Sequence, residues 1–263
     1  MIIYSGLPRS GTNLLKNILS QNNNIYVNHE SALCNIISHS MESIDYYKNH
    51  YYSDDVTDLE KLQKMFFKGG ISNIDKNLNK PHINHNKLWN KYLPKMKDLG
   101  YKIIFSVRNI TDILFSFEEQ HKQNFTTSVN KNLNFTNPLI GMLEKHENVE
   151  VLQNGLDFLN DVCINFEEYK HGLLFIKYEN LVNYPNKTLA EIYNFLNLEP
   201  YEHDFNNIPT HNVNDMSSRI RRGMSHQVRP KIDDVLKQKK FTSDIKEYFD
   251  KRYFSVNKLL GYN

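Results

Sequence analysis

The stretch Gly6-Leu-Pro-Arg-Ser-Gly-Thr-Asn13 has the residue types and spacing of an anion-binding loop. Gly6 and Gly11 permit the backbone angles of a tight turn and let the main chain approach a ligand closely. A helix opening at Thr12 would aim its unpaired N–H groups and positive dipole end at the same anion. The loop lacks the Gly-Lys-Ser/Thr ending of ATP-type loops. Thr12 and Asn13 follow Gly11, and the positive charge sits inside the loop at Arg9. This speaks against an ordinary kinase or ATPase, where a lysine and magnesium act on the terminal phosphates. A strand-to-helix turn with no ligand is the plainer alternative, but the two glycines, Arg9 and the Ser/Thr content together favour a phosphate-type site.

Two further places carry groups suited to a nucleotide. Arg108 ends the apolar run Tyr101–Val107, and Ser116 lies eight residues later. In open α/β sheets ligands gather beyond the carboxyl ends of the strands, so Arg108 could grip a second phosphate while Ser116 donates a hydroxyl hydrogen bond. A surface salt bridge is the bland reading of such an arginine. In Lys177-Tyr-Glu-Asn-Leu-Val-Asn-Tyr-Pro185, Tyr178 follows another apolar run and could pack on a purine face.

Alternating strands and helices would position these groups. Met1–Ser5 reads as a buried strand, residues 12–21 as a helix with Leu14, Leu15, Ile18 and Leu19 on one face, and Ile25–Val27 as a short strand, which is the opening of a βαβ unit. Strands are predicted at Tyr101–Val107 and Leu173–Lys177. Helices are predicted at about 111–120, 155–168, 186–196 and 243–259. The pattern implies a three-layer α/β/α arrangement around a mostly parallel sheet. Residues 31–98 are polar and rich in tyrosine, with no clear strand. No linker or repeat interrupts residues 1–263, which we take as a single domain. Segments 31–79 and 121–155 read as insertions that form an acceptor site.

Composition bounds the function. The 263 residues are 40% hydrophobic and 24% charged, ordinary for a soluble globular chain. A net charge of +2 gives no reason to expect nucleic acid as a partner. Cys34 and Cys163 are far apart and form no metal-type pair, and the histidines have no zinc-type spacing. The opening run has neither a basic leader nor membrane-spanning length, so a cytoplasmic protein without a membrane anchor is expected. The sequons at Asn124 and Asn134 are then chance matches.

Taken together and in order, these motifs resemble the sulfotransferases that use 3′-phosphoadenosine 5′-phosphosulfate (PAPS). Pro8-Arg-Ser-Gly-Thr12 is similar to their 5′-phosphosulfate loop, in the arginine form of the tyrosylprotein sulfotransferases. Val107-Arg-Asn-Ile-Thr-Asp-Ile-Leu-Phe-Ser116 resembles the 3′-phosphate element, with Ile110 where a proline is common. Lys177–Pro185 resembles the segment whose tyrosine contacts adenine. The resemblance covers about 1–30, 80–120 and 172–200. It implies a P-loop-like fold and metal-independent transfer of a sulfuryl group to a hydroxyl acceptor: protein tyrosine, carbohydrate or small alcohol. It also implies that Pro8, Arg9, Ser10, Gly11, Thr12 and Asn13 bind the 5′ side, Arg108 and Ser116 the 3′-phosphate and Tyr178 the adenine.

The resemblance further implies a reacting centre. Glu30, at the family's offset from Arg9, is the expected general base, with His29 as its rival; such a group helps because a hydroxyl is a poor nucleophile at neutral pH. Arg9 and Lys80 are the expected cations on the transferring group, Lys80 through Asn79-Lys-Pro-His82, with Lys87, His82 and His85 as alternatives. Ser225-His-Gln-Val-Arg-Pro230 resembles a further family segment. There Ser225 would reach the sulfate and Arg229 or Lys237 the nucleotide. A non-catalytic module binding PAPS or its product adenosine 3′,5′-bisphosphate (PAP), or a P-loop kinase, are the competing readings.

Overall fold

The computed structural model describes residues 1–28, 32–50, 79–125, 150–209 and 243–262, and a few positions between 61 and 69. Five strands form one parallel sheet: β1 (Ile2–Gly6), β2 (Tyr26–Asn28), β3 (His82–His85), β4 (Lys102–Val107) and β5 (Leu173–Lys177), in the order β2-β3-β1-β4-β5. From β1 the chain builds first to one side, through β2 and β3, and then to the other, through β4 and β5. That reversal puts the topological switch point at the carboxyl ends of β1 and β4, where open α/β sheets hold their ligands.

Alternation along the strands creates two cores. Ile3, Ile103, Phe105 and Val107 point to one face of the sheet, and Ile2, Tyr4, Ile104 and Ile176 to the other. The first face is covered by α2 (Ala32–His50), a 3₁₀ segment (Lys87–Tyr92), α3 (Leu93–Asp98), α4 (Ile110–Phe125), α5 (Glu150–Ile164), α6 (Phe166–Tyr169), α9 (Ser243–Arg252) and α10 (Phe254–Leu259). The second is covered by α1 (Thr12–Leu19), α7 (Tyr178–Asn183) and α8 (Pro185–Leu196). The fold is the expected three-layer α/β/α sandwich.

Several elements differ from the sequence expectations. β3 lies in the stretch where no strand was expected, because only Ile83 supplies an apolar signal. Its two histidines are buried against aromatic rings, His82 on Tyr26 and His85 on Tyr4, with centroids 5.1 and 5.0 Å apart. The helix expected at 155–168 begins at Glu150, and its first turns bury Leu152 and Gly155. Likewise α2, in the other proposed insertion, sends Cys34, Ile37, Met41 and Ile44 inward. The single helix expected over 243–259 is broken at Tyr253.

Candidate active site

The loop between β1 and α1 is built by hydrogen bonds that leave its outer side open. Leu7 N–H donates to Ser106 O at 2.9 Å, which ties the loop to β4, and Ser10 N–H returns to Leu7 O at 3.3 Å. Gly6 must be glycine for packing. A Cβ there would lie 2.6 Å from the Ser106 carbonyl oxygen of the neighbouring strand. Two positions adopt left-handed backbone, Arg9 at φ 64° and Gly11 at φ 80°. For arginine this costs about 1–2 kcal/mol, and strain of this kind concentrates where a loop is shaped for a ligand. Gly11 caps α1 without any side-chain cap bond, and Leu15 N–H is the first to reach back, to Gly11 O at 3.0 Å. The first-turn N–H groups therefore point out of the helix toward the loop.

The side chains of three strand ends meet over this loop. Arg9 Nε donates to Ser116 Oγ at 2.9 Å, joining the loop to α4. Arg108, which follows β4, donates from one guanidinium nitrogen to Arg9 O at 3.4 Å and lies over the Tyr178 ring, 4.7 Å from its centroid. Tyr178, which follows β5, presses its ring edge on the loop, so that a Cβ on Gly11 would come within 2.6 Å of Tyr178 Cδ2. Arg9, Arg108, Ser116, Tyr178 and Gly11 thus form one cluster, assembled from three separate stretches of the chain.

Electrostatically the cluster is prepared for an anion. Burial lowers the Arg9 guanidinium below its ordinary range, the Arg108 charge lowers it further, and Tyr178 partly offsets both. Among the described residues no carboxylate pairs with Arg108, and its Nε is buried without a hydrogen-bond partner. A buried donor left without an acceptor is costly. Two guanidinium groups brought to one loop invite a doubly charged ligand.

Other expected site residues are placed differently. The Ser10 hydroxyl turns inward, donating to Leu7 O at 2.6 Å and Ser106 O at 3.0 Å, so it braces the turn and is not presented to an anion. Pro8 and Thr12 are buried, and Asn13 is half-buried. Lys80 departs most from expectation. It precedes β3, and β3 runs parallel to β1 with Ile2 beside Ile83, so Lys80 lies at the amino edge of the sheet, opposite Arg9 and Arg108. Its Nζ donates to Asn23 O at 2.6 Å. Of the alternatives, His82 also sits near that edge. His85 ends β3 and Lys87 opens the following 3₁₀ segment, both toward the carboxyl ends. His29, Glu30, Ser225, Arg229 and Lys237 lie outside the described residues.

Sequence reasoning passed over the supports of this cluster. Tyr4 OH and Ser106 Oγ are 2.8 Å apart, and Tyr4 OH also donates to Thr12 O at 3.3 Å, so β1, β4 and α1 are clasped beneath the loop. Burial pushes this phenol well above its usual range. Asn90 Nδ2 donates to Gly6 O and to Val151 O, each at 3.2 Å, fixing the end of β1 against α5. Tyr4 was readable as a strand residue. Asn90 had no signal in an unpatterned segment.

This geometry can be set beside known proteins. The family model for the sulfotransferase domain matches residues 1–260. The chain belongs to the sulfotransferase family. As such it is an enzyme of sulfuryl transfer to a hydroxyl-bearing acceptor. Among solved structures, this sulfotransferase is similar to the sulfotransferase domain of the Synechococcus PCC 7002 olefin synthase, with TM-score 0.58 and 15% identity over 100% of this chain and 94% of that one. It is also similar to the sulfotransferase domain from the curacin biosynthetic pathway, with TM-score 0.53 and 18% identity over 100% and 98%. A sulfotransferase from Alicyclobacillus acidocaldarius aligns with TM-score 0.50 and 15% identity over 100% and 96%. At such identities these likenesses speak to the fold. No curated protein matches the sequence.

Proposed function

We propose that this sulfotransferase takes its sulfuryl group from PAPS and releases PAP, and that the Arg9–Arg108–Ser116–Tyr178 cluster is the nucleotide site. The observation that carries the reading is the convergence of two arginines on one loop, with Arg108 stacked on Tyr178 and its buried Nε lacking an acceptor. PAPS, when bound, supplies an activated sulfuryl group on a phosphate leaving group. Arg108 and Ser116 hold the 3′-phosphate, and the Tyr178 ring surface left open by Arg108 packs on adenine. The α1 N–H groups and Arg9 bind the 5′ side and stabilise the charge that grows there as the bond breaks. The Ser10 side chain has no part in this reading. The charge that metal-dependent loops take from magnesium comes here from protein cations.

Glu30, two residues after β2 in the sequence, takes the proton of the attacking hydroxyl. Ser225, with Arg229 or Lys237, completes the site from the segment before α9. The cation role first assigned to Lys80 passes to Lys87 or His85 at the carboxyl side of β3. The acceptor is a protein tyrosine, a carbohydrate or a small alcohol, and the segments assigned to it are 31–79 and 121–155. The test is calorimetric. PAP is expected to bind much more tightly than AMP or ATP without magnesium, and Arg108→Ala to remove most of that preference, since a charged hydrogen bond to phosphate is worth about 1.5–3 kcal/mol. Equal affinity of the wild-type protein for AMP and PAP would refute the assignment.

A further inference from the structure

Tyr178 is held between two neighbours that share one support. α10 ends in a left-handed turn: Gly261 adopts φ 64°, its N–H donates to Lys258 O at 3.1 Å, and Tyr262 N–H reaches back to Asn257 O at 2.8 Å. This is the paired closure of a glycine-terminated helix, and it fixes where Tyr262 points. α10 is itself anchored, with Val256 and Leu260 buried in the core. From that anchored turn, Tyr262 OH donates to Glu179 Oε2 at 2.7 Å. On the other side of Tyr178, Lys177 Nζ donates to Gly261 O at 3.0 Å and lies 4.7 Å from the Tyr262 ring centroid.

We propose that Gly261 and Tyr262 form a clamp that grips Lys177 and Glu179 and thereby sets the position of Tyr178 against Gly11 and Arg108. Tyr262 is a positioning residue for the nucleotide site, acting through Tyr178. β5 ends at Lys177 and α7 begins at Tyr178. A strand-to-helix junction is a point where the backbone can swing, and α7 has no side-chain cap at its start. Holding the residues on both sides removes that freedom. The phenol is suited to the task. Burial and the Glu179 carboxylate both raise its pKa, so it remains a donor throughout the physiological range, while Arg108 opposes that rise. The same carboxylate has its second oxygen, Oε1, buried without a hydrogen-bond partner among the described residues, so removal of the Tyr262 hydroxyl leaves the group unsatisfied.

This inference rests on the nucleotide reading above, and the experiment separates the two. PAP affinity is measured by calorimetry for the wild type, Tyr262→Phe, Glu179→Ala, Glu179→Gln and the double variant Tyr262→Phe/Glu179→Ala. Amide hydrogen exchange over residues 177–183 is followed in the same proteins without nucleotide. Tyr262→Phe keeps the ring over Lys177 and removes only the hydroxyl. It is expected to weaken PAP binding about ten- to a hundredfold, the weight of one hydrogen bond to a charged group, and to speed exchange in 177–183. Glu179→Ala should match that loss, the double variant should exceed neither single one, and Glu179→Gln, which keeps an acceptor oxygen, should recover most of the affinity. A wild type that binds AMP and PAP equally overturns the nucleotide reading. A wild type that prefers PAP, with Tyr262→Phe unchanged in affinity and exchange or with losses that simply add, overturns the clamp alone.

Discussion

Gly11→Ala perturbs the loop in two separable ways. The first is local. Alanine at φ 80° must hold a left-handed backbone, which costs about 1–2 kcal/mol relative to glycine. For a chain of this size that lowers the melting temperature by roughly 2–8 °C. The second effect reaches the ligand. The new methyl group would stand 2.6 Å from Tyr178 Cδ2, far inside contact distance, so the ring has to move away. Tyr178 carries Arg108 on its face at 4.7 Å. A stack of this kind is worth about 0.5–2 kcal/mol, and losing it together with the ring position corresponds to roughly 2- to 30-fold weaker PAP binding. The assay is calorimetry with PAP beside thermal denaturation, in the wild type and in a Tyr178→Ala background. In that background the methyl has no ring to displace, so Gly11→Ala should still lower the melting temperature but add no further loss of affinity. An affinity loss of the same size in both backgrounds would refute the argument that loop and ring act through contact.

Gly6→Ala tests the sheet instead of the ligand. Its Cβ meets the Ser106 backbone oxygen at 2.6 Å, so β1 and β4 must part, and a stability loss of about 1–3 kcal/mol is expected by urea denaturation, as for overpacked cores. Glu30→Gln is expected to leave PAP affinity nearly unchanged and to lower transfer by roughly 10²–10⁴, assayed on a panel of phenolic, sugar and alkyl acceptors; turnover near the wild-type rate would show the carboxylate to be structural. Stability should also fall on acidification through His203. Burial lowers its pKa, partly offset by a backbone hydrogen bond at Ile18, and its ring sits 2.9 Å from Tyr193 OH and 3.2 Å from Gln21 Oε1. The unfolded chain binds this proton near pH 6.5 and the folded one only at lower pH, so the contribution is complete above about 6.5 and is lost below it. His203→Gln should flatten the difference in unfolding free energy between pH 7.5 and 5.5, and identical slopes in the two proteins would count against this assignment.

The parts of the fold that announced themselves were those with one-sided chemistry. Ile2–Tyr4, Ile103–Val107 and Leu173–Ile176 are largely apolar runs, the first two buried between helices and the third, at the sheet edge, mostly half-buried, and β1, β4 and β5 lie there. The candidate site residues Arg9, Arg108 and Tyr178 follow those three strands, so their convergence at the carboxyl ends was legible. β3 was not, because His-Ile-Asn-His is buried by aromatic stacking and side-chain hydrogen bonds, with Trp89 Nε1 donating to Asn84 Oδ1 at 2.9 Å, and neither leaves a period in the sequence. The same gap misled the placement of Lys80. Without a strand between Lys80 and Asn86, nothing in the sequence tells which end of the sheet the lysine occupies. Ser10 shows a second limit, since residue type gives a hydroxyl but not the direction in which the turn points it.

The sheet order has a consequence for the birth of the chain. β1 occupies the centre, yet its partners are made late: Ile2 pairs with Ile83 on one side and Lys102 on the other. At synthesis rates of about 5–20 residues per second, β1 waits roughly 5–20 seconds for both neighbours. Until β3 is made, an apolar strand with two open edges has left the ribosome, accompanied among the described elements by α1, β2 and the amphipathic α2. The loop between β1 and α1 begins at the end of that waiting strand, so it takes its shape only when β4 arrives and Ser106 can receive the Leu7 N–H. Nascent chains halted before residue 107 should thus be protease-sensitive and prone to capture by chaperones, and those extended past β5 should not.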